Sequence, residues 1–468
     1  MTHNRPAAVA CALLAAVLLQ PLAALPRASA HAPGTRAATT LDATTSQAVW
    51  IDRDTVAWNG VAGAASTQLL YSRDGSLTTS SAGDDVHRIR LEKTALTDAQ
   101  KAKFPHLKDY TAWSVDPRDR DRVREALRGQ LVVSQRAVNG AVLAATGVQI
   151  AGVLDDLYPG ATKADLGPVF RHGRPTLSVW APTAQSVSLE LDGSLKRMRR
   201  DDATGVWSVT GPASWKGKPY RYVVKVWAPS VREVVTNKVT DPYSLALTAN
   251  SERSLVVDLD DKSLAPAGWR ELRKPKAVPL RDAQIQELHI RDFSAEDKTV
   301  PKKDRGTYLA FTDTRGDGSR HLRKLAKAGT SYVHLLPAFD ITGIPERRGD
   351  QAVPGCDLAA FPADSERQQE CVGEVAGKDA YNWGYDPYHY TVPEGSYATD
   401  PDGVGRTVEF RRMVRALNQD GLRVVMDVVY NHTAASGQAA TSVLDRIVPG
   451  YYQRLLADGS VANSTCCA

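Results

Sequence analysis

Beyond its first 30 residues this chain has no apolar run approaching the roughly 18 residues that a membrane span needs. A transmembrane architecture is therefore excluded for the bulk of the sequence. Strong charge of either sign is also missing. The formal net charge is +5 over 468 residues, and no basic run with interleaved aromatics occurs. Arg5 and Arg27 fall in the amino-terminal apolar region, which holds no acid, so about +3 remains without it. That is too little to point to nucleic acid or an anionic membrane. Cysteine is scarce, with five in all, which excludes a disulfide-dense scaffold. Internal repeats are absent as well.

What is there is ordinary globular composition, 43% apolar and 24% charged, in a length that suits two to four domains. Residues 1–30 read as a secretory signal: Arg5 makes a basic start, Ala7 to Leu25 is almost wholly apolar, and Ala28-Ser-Ala30 is a small-residue cleavage site. An uncleaved anchor helix is the alternative, and Gln20, Pro21 and the weakly apolar alanines speak against it. Cys11 precedes most of the apolar stretch, which excludes a lipoprotein signal. The expected product is secreted, with no membrane attachment after cleavage. Export permits disulfides. Cys356 and Cys371 bracket a polar loop, and a local bridge between them is expected, two free thiols being the alternative. Neither has the close second Cys or His that zinc would require. Cys466 and Cys467 sit at the end of the sequence.

Residues 31–46 are Ala/Thr-rich and read as a flexible leader. Short β-like runs follow at Ala48 to Trp58 and Thr67 to Tyr71. Thr97-Asp-Ala-Gln100 offers a helix cap, Asp121 to Leu131 is a second helical candidate, and apolar runs return at Leu131–Val133 and Ala141–Ile150. Residues 47–164 are taken as one β-rich domain. From 165 to 275, short alternating runs separated by Gly, Pro and Asp turns predict an immunoglobulin-like β-sandwich, with Trp180, Trp207 and Trp227 mostly in its core. After a charged, Pro-containing linker the rhythm becomes strand–helix–strand. Strands are expected at Ile285–Phe293, Ser331–Phe339 and Leu422–Tyr430. Helices are expected at His321–Ala328 and Val404–Asp420, stopped by Gly329 and Gly421. That alternation means parallel β/α units over 280–468.

Two segments carry chemistry. Tyr381 to Asp400 packs aromatics, glycines and carboxylates into a turn-rich loop. Leu422-Arg-Val-Val-Met-Asp-Val-Val-Tyr-Asn-His432 is an aliphatic strand, expected to be buried on both faces, that Asp427 interrupts and that ends in Asn431 and His432. A buried carboxylate is costly unless paired. Asp427 is either structural, satisfied by an arginine or backbone donors, or a site residue at the open end of a barrel. Asn431 and His432 beside it favour the site. Trp383 and Tyr385 in one loop suit sugars, which offer apolar ring faces and hydroxyl edges; loop packing is the alternative for Trp383.

These residues resemble glycoside hydrolase family 13, and within it the pullulanase-type debranching enzymes. Asp427-Val-Val-Tyr-Asn-His432 is similar to that family's first motif, and Asn382-Trp-Gly-Tyr-Asp-Pro387 to the loop supplying its stacking tyrosine. His389-Tyr-Thr-Val-Pro-Glu-Gly-Ser-Tyr397 points to pullulanases. Ser178-Val-Trp-Ala-Pro-Thr183 and Val239-Thr-Asp-Pro-Tyr-Ser244 resemble carbohydrate-binding module family 48, and residues 45 to 160 the extra amino-terminal domain of bacterial pullulanases. The resemblance implies a (β/α)8 TIM barrel, incomplete here at about three β/α units. It implies that Tyr385 stacks on a glucose ring, that His432 hydrogen-bonds its hydroxyls, and that Asp427 is a supporting carboxylate. Asn431 matches a position that ligates calcium in parts of the superfamily. Calcium takes about six to eight oxygens and the sequence offers one, so no cofactor is required and calcium is the one ion left open. The expected partner is an α-glucan such as pullulan, starch or glycogen.

The chain departs from the family where the reaction happens. Retaining hydrolysis needs two carboxyls about 5 Å apart, which the family takes from strands four and five. The sequence carries strands one to three, and its 186 residues from Ala283 onward fall short of the roughly 250 of a whole barrel. The expectation is a fragment of a secreted α-1,6-glucan debranching hydrolase without nucleophile or acid/base. The alternatives are a non-catalytic glucan-binding protein, or another superfamily enzyme such as an isoamylase or branching enzyme.

Overall fold

The computed structural model describes residues 44–77 and 86–463. The signal segment, nearly all of the 31–46 leader, Cys466 and Cys467 lie outside the described residues. Among the described residues no helix is long and apolar enough to cross a membrane.

Seven strands open the fold: β1 (Ala48–Asp52), β2 (Thr55–Ala57), β3 (Ser66–Ser72), β4 (His87–Thr94), β5 (Ala112–Val115), β6 (Gln130–Arg136) and β7 (Val142–Gln149). They close into a barrel in the order β1-β2-β5-β4-β3-β6-β7, with β1 parallel to β7. Closure leaves no free strand edge. Trp50, Val56, Leu69, Tyr71, Ile89 and Val133 fill the interior. The Thr97 cap forms as expected: α1 (Asp98–Lys103) carries a full capping box with Gln100. The second helical candidate is cut short. After a 3-10 turn, α2 spans only Val123–Ala126, and β6 begins at Gln130. Gly129 explains the break, because a Cβ there would lie 2.2 Å from the Ser72 carbonyl oxygen, so only glycine lets the chain pass into β6 beside β3. The helix α3 (Ala151–Leu157) then packs on β1.

The sandwich follows. Strands β11 (Ser194–Arg197), β10 (Ser186–Leu191), β14 (Pro219–Ala228) and β15 (Glu233–Val239) form one sheet in that order, with β16 (Ser254–Leu255) on β14. Strands β12 (Arg199–Arg200), β13 (Val206–Thr210), β9 (Arg174–Trp180) and β8 (Gly167–Arg171) form the other. Alternation along β14 turns Tyr220, Tyr222, Val224 and Val226 inward. Trp180 and Trp207 are buried as expected, each donating its indole N–H to a backbone carbonyl (Thr204, 3.0 Å; Ala181, 2.9 Å). Trp227 points to the outer face. One apolar core runs from the barrel into the sandwich and on to Val443, Ile447 and Val448.

The last region is a parallel sheet in the order β17 (Ile285–Leu288), β18 (Tyr332–Leu335), β21 (Arg423–Met426), with helices α4 (Asp317–Ala328) and α6 (Gly405–Gln419) between strands. Gly329 and Gly421 stop these helices in left-handed backbone at φ 116° and 87°. Strands β19 (Phe339–Ile341) and β20 (Pro387–Pro393) make an antiparallel pair whose connection holds α5 (Arg367–Gly373) and the Tyr381–Asp386 loop. The expected long strands are shorter than predicted. The last is not buried on both faces: β21 pairs with β18 alone, and Val425 and Met426 are 38% and 40% exposed. An aliphatic run reports a preference for burial and not how many neighbours the strand acquires.

Cys356 and Cys371 are joined, with Cα atoms 6.6 Å apart. The bridge closes a loop of sequence separation 15, which on the chain-entropy argument stabilises by about 3 kcal/mol. Replacing both cysteines with serine is expected to open residues 356–371 to hydrogen exchange about a hundredfold faster, while exchange in the sandwich stays unchanged.

Candidate functional site

The carboxyl end of the parallel sheet gathers the predicted residues. Asp427 is the first residue past β21, and its N–H donates to the Leu335 carbonyl at 3.0 Å. Its carboxylate accepts from the Tyr385 hydroxyl at 2.7 Å. Burial, then this hydrogen bond to a carboxylate, pushes the Tyr385 phenol up to about 12. One flank of Tyr385 packs on Phe339, Ile341, Ile344 and Val429, and the residue is half-buried. Of the two readings of Asp427, neither an arginine nor the backbone satisfies it; the partner is the aromatic residue predicted to face the sugar.

The loop holding Tyr385 is tied down at several points. Asn382 donates to Asp386 at 3.0 Å and accepts from the Gly384 N–H at 2.8 Å. Gly384 sits at φ 94°, and a Cβ there would lie 2.8 Å from the Pro337 carbonyl oxygen. His432 Nε2 lies 2.7 Å from the Tyr385 carbonyl oxygen, and its Nδ1 lies 3.0 Å from the Asn431 amide nitrogen. The carbonyl fixes the proton on Nε2, so His432 holds the backbone of Tyr385 from the far side. Trp383 is 59% exposed and meets Tyr381 edge-on at 6.1 Å. His289, inside the first expected strand and given no role by the sequence reading, reaches the Asn382 carbonyl at 2.9 Å. Burial lowers its pKa and keeps it neutral.

Behind the loop lies a charged cluster that the sequence did not announce. Asp340 on β19, Glu346 and Glu394 bring carboxylate oxygens within 4.8 Å of one another, all buried. The Arg406 guanidinium, from α6, reaches Glu346 at 2.8 Å and Asp340 at 3.3 Å. Asp340 also meets His389 Nδ1 at 2.6 Å, and the His389 Nε2 lies 2.7 Å from the Thr240 hydroxyl. This Asp–His–hydroxyl order resembles a nucleophilic triad, but all three residues are buried and nothing can reach the hydroxyl. It is a bolt between the segment after β15 and the hairpin that carries the Tyr385 loop. Ser251 and Asn250 add two more ties, to Asp340 and Glu346, at 2.6 Å each.

The cluster also bears on calcium. Its three carboxylates would suit a cation, and Arg406 supplies one. Asn431, the residue matched to a calcium ligand, is exposed, and its amide nitrogen is engaged with His432. Among the described residues the group of three or more carboxylate, His or Cys ligands is Asp340, Glu346 and Glu394, which does not include Asn431.

Burial pushes Glu346 and Glu394 well above the ordinary carboxylate value. A carboxyl raised in the fold keeps its proton where the unfolded chain has lost it. Its stabilisation is full below the unfolded value of 4.5 and lost as pH rises toward about 8 for Glu346. The melting temperature is therefore expected to fall by a few degrees between pH 5 and 8. Glu346→Gln, neutral throughout, should flatten that fall in a scanning calorimeter; an unchanged slope would show that the cluster is fully ionised.

The family profile for the pullulanase N2 domain matches residues 45–156, and that for carbohydrate-binding module 48 (isoamylase N-terminal domain) matches residues 165–244. A pullulanase of Klebsiella pneumoniae is 40% identical over 470 residues, covering 90% of this chain and 43% of its own length. The chloroplastic pullulanase 1 of Arabidopsis thaliana is 41% identical over 435 residues, covering 90% and 45%. The crystal structure of PulA from Klebsiella oxytoca superposes with a TM-score of 0.86 at 39% identity, over 91% of this chain and 45% of that one. A K. pneumoniae pullulanase solved with maltotriose gives 0.85 at 38%, over the same shares. The chain thus spans less than half the length of these curated relatives. With both domain profiles and this identity along nine-tenths of its residues, the chain belongs to the pullulanase group of glycoside hydrolase family 13.

Proposed function

We propose that this chain is the substrate-holding part of a secreted pullulanase-type debranching hydrolase, one that cleaves α-1,6-glucosidic bonds with retention. The parallel sheet β17-β18-β21 is read as the start of its (β/α)8 barrel. The observation that carries the proposal is the Tyr385–Asp427 pair. A half-buried aromatic ring, fixed by a hydrogen bond to the carboxylate past β21 and by His432 on its backbone, makes a rigid platform for a glucose ring. Trp383 extends the apolar surface at the rim. The exposed hydrogen bond between His432 and Asn431 is the one that exchanges for sugar hydroxyls. Support for an α-glucan comes from the pullulanase relatives, one of them solved with maltotriose.

A non-catalytic glucan-binding role for the 468 residues taken alone is favoured by a specific observation: the clustered carboxylates Asp340, Glu346 and Glu394 are buried behind Arg406 and cannot meet substrate. The experiment is titration with maltotriose. Tyr385→Ala is expected to weaken binding at this site about tenfold or more, using roughly 1–3 kcal/mol for the lost stacking face. Full affinity in that variant would remove Tyr385 from the site.

A further inference from the structure

Two strand ends grip the loop that carries Trp383 and Tyr385. Asp427, the first residue past β21, accepts from the Tyr385 hydroxyl. His289, the first residue past β17, takes hold of the other arm: its Nε2 lies 2.9 Å from the Asn382 carbonyl oxygen. We propose that His289 is a positioning residue for the sugar platform and acts through one Nε2–H donated to Asn382. The role deepens the function proposed above and rests on the Tyr385 platform.

The neighbours of the imidazole fix its proton. A carbonyl oxygen can only accept, so Nε2 donates to Asn382. The Asp292 N–H approaches Nδ1 from the opposite side at 3.4 Å, which leaves Nδ1 as the acceptor. The Tyr397 hydroxyl, 3.0 Å from the same Nε2, is then a second acceptor for one proton. Charge near the ring comes from its own turn: the Asp292 carboxylate, 3.6 Å from Nδ1, and Arg291. The groups packed on it from elsewhere are phenols, Tyr397 edge-on at 5.5 Å and Tyr381 at 6.2 Å. Burial keeps the imidazole neutral, so it serves as a directional donor. Leu288, just before it, pairs with Leu335 of β18, so the donor comes from a paired strand and not from another loop. The Asn382 side chain closes the loop on itself, through Asp386 and Gly384, and onto the Thr342 carbonyl after β19 at 3.3 Å. The bond from His289 ties Asn382 to the parallel sheet. A shift at Asn382 moves the next residue, Trp383, and the turn that leads into Tyr385.

His289→Gln and His289→Asn separate the bond from the packing. A glutamine amide nitrogen reaches the place of Nε2, an asparagine amide nitrogen only that of Nδ1, and both side chains are neutral and polar. In the 468-residue chain, His289→Gln should bind maltotriose close to wild type and leave amide exchange in residues 381–386 unchanged. His289→Asn should weaken binding about tenfold, the size of one hydrogen bond, and speed exchange at Gly384 by about the same factor. Tyr397→Phe should change neither, because its oxygen is the second acceptor. A His289→Asn protein that binds and exchanges like wild type would overturn the proposal. Equal losses in the Gln and Asn variants would overturn it as well, by making the packing of the ring the cause. So would a loss in Tyr397→Phe as large as that in His289→Asn, which would place the working proton on the tyrosine. Exchange is read without sugar. If wild type binds no maltotriose, or Tyr385→Ala keeps full affinity, the platform reading falls, while the exchange data still decide whether His289 holds the loop.

Discussion

Replacing Arg406 with methionine should cost the fold about 3–5 kcal/mol, the largest loss expected from any single side chain near the site. Arg406 is fully buried and supplies the guanidinium shared by Glu346 and Asp340. It also donates to the Pro401 and Pro393 carbonyls, at 2.6 and 3.3 Å. Methionine matches its bulk and keeps the packing, so what is lost is the positive charge and its hydrogen bonds. The buried carboxyl groups then lie together without a counter-charge, and the structure must hold all three protonated, Asp340 included, admit water or open. Opening releases the β19–β20 hairpin, which carries the Tyr385 loop. Arg406→Met is therefore expected to accelerate hydrogen exchange across residues 339–393 and to weaken maltotriose binding in step. Unchanged exchange would mean that the cluster is held together without Arg406.

The 468-residue chain should release no reducing sugar from pullulan, whatever its affinity. Retaining hydrolysis needs a nucleophile and an acid/base about 5 Å apart on either side of the bond. Removing covalent and acid chemistry removes the step itself, not a fraction of its rate. Beside the platform stands Asp427, and its carboxylate is committed to the Tyr385 hydroxyl at 2.7 Å. The grouped carboxylates at Asp340, Glu346 and Glu394 are buried. Sustained release of maltotriose by purified chain, abolished in Asp427→Asn, would show that Asp427 does chemistry as well as support.

Local features were legible where a local cause produced them. Thr97 and Gln100 are three residues apart and cap α1 reciprocally. Gly329 and Gly421 mark helix ends because left-handed backbone favours glycine. Cys356 and Cys371 are near neighbours in sequence and pair. The sequence singled out the Tyr381–Asp386 loop and Asp427, and the structure brings Tyr385, Asp427, Asn431 and His432 together. Features with distant causes were not legible. The Arg406 cluster joins residues 60 and 66 positions apart; each reads in isolation as a surface charge. His389 and Glu394 stood inside a recognised motif, but their partners on β19 could not be inferred from it. The shortness of α2 follows from Gly129 meeting Ser72, a contact between β3 and the entry to β6. Trp227 looks like its buried neighbours until the phase of β14 is known.

The most direct test is a crystal structure of this chain with maltotriose. A glucose ring is expected to lie flat on the open face of Tyr385, with the Tyr385–Asp427 hydrogen bond intact and a sugar hydroxyl in place of the Asn431–His432 contact. Sugar bound elsewhere while that face stays bare would contradict it.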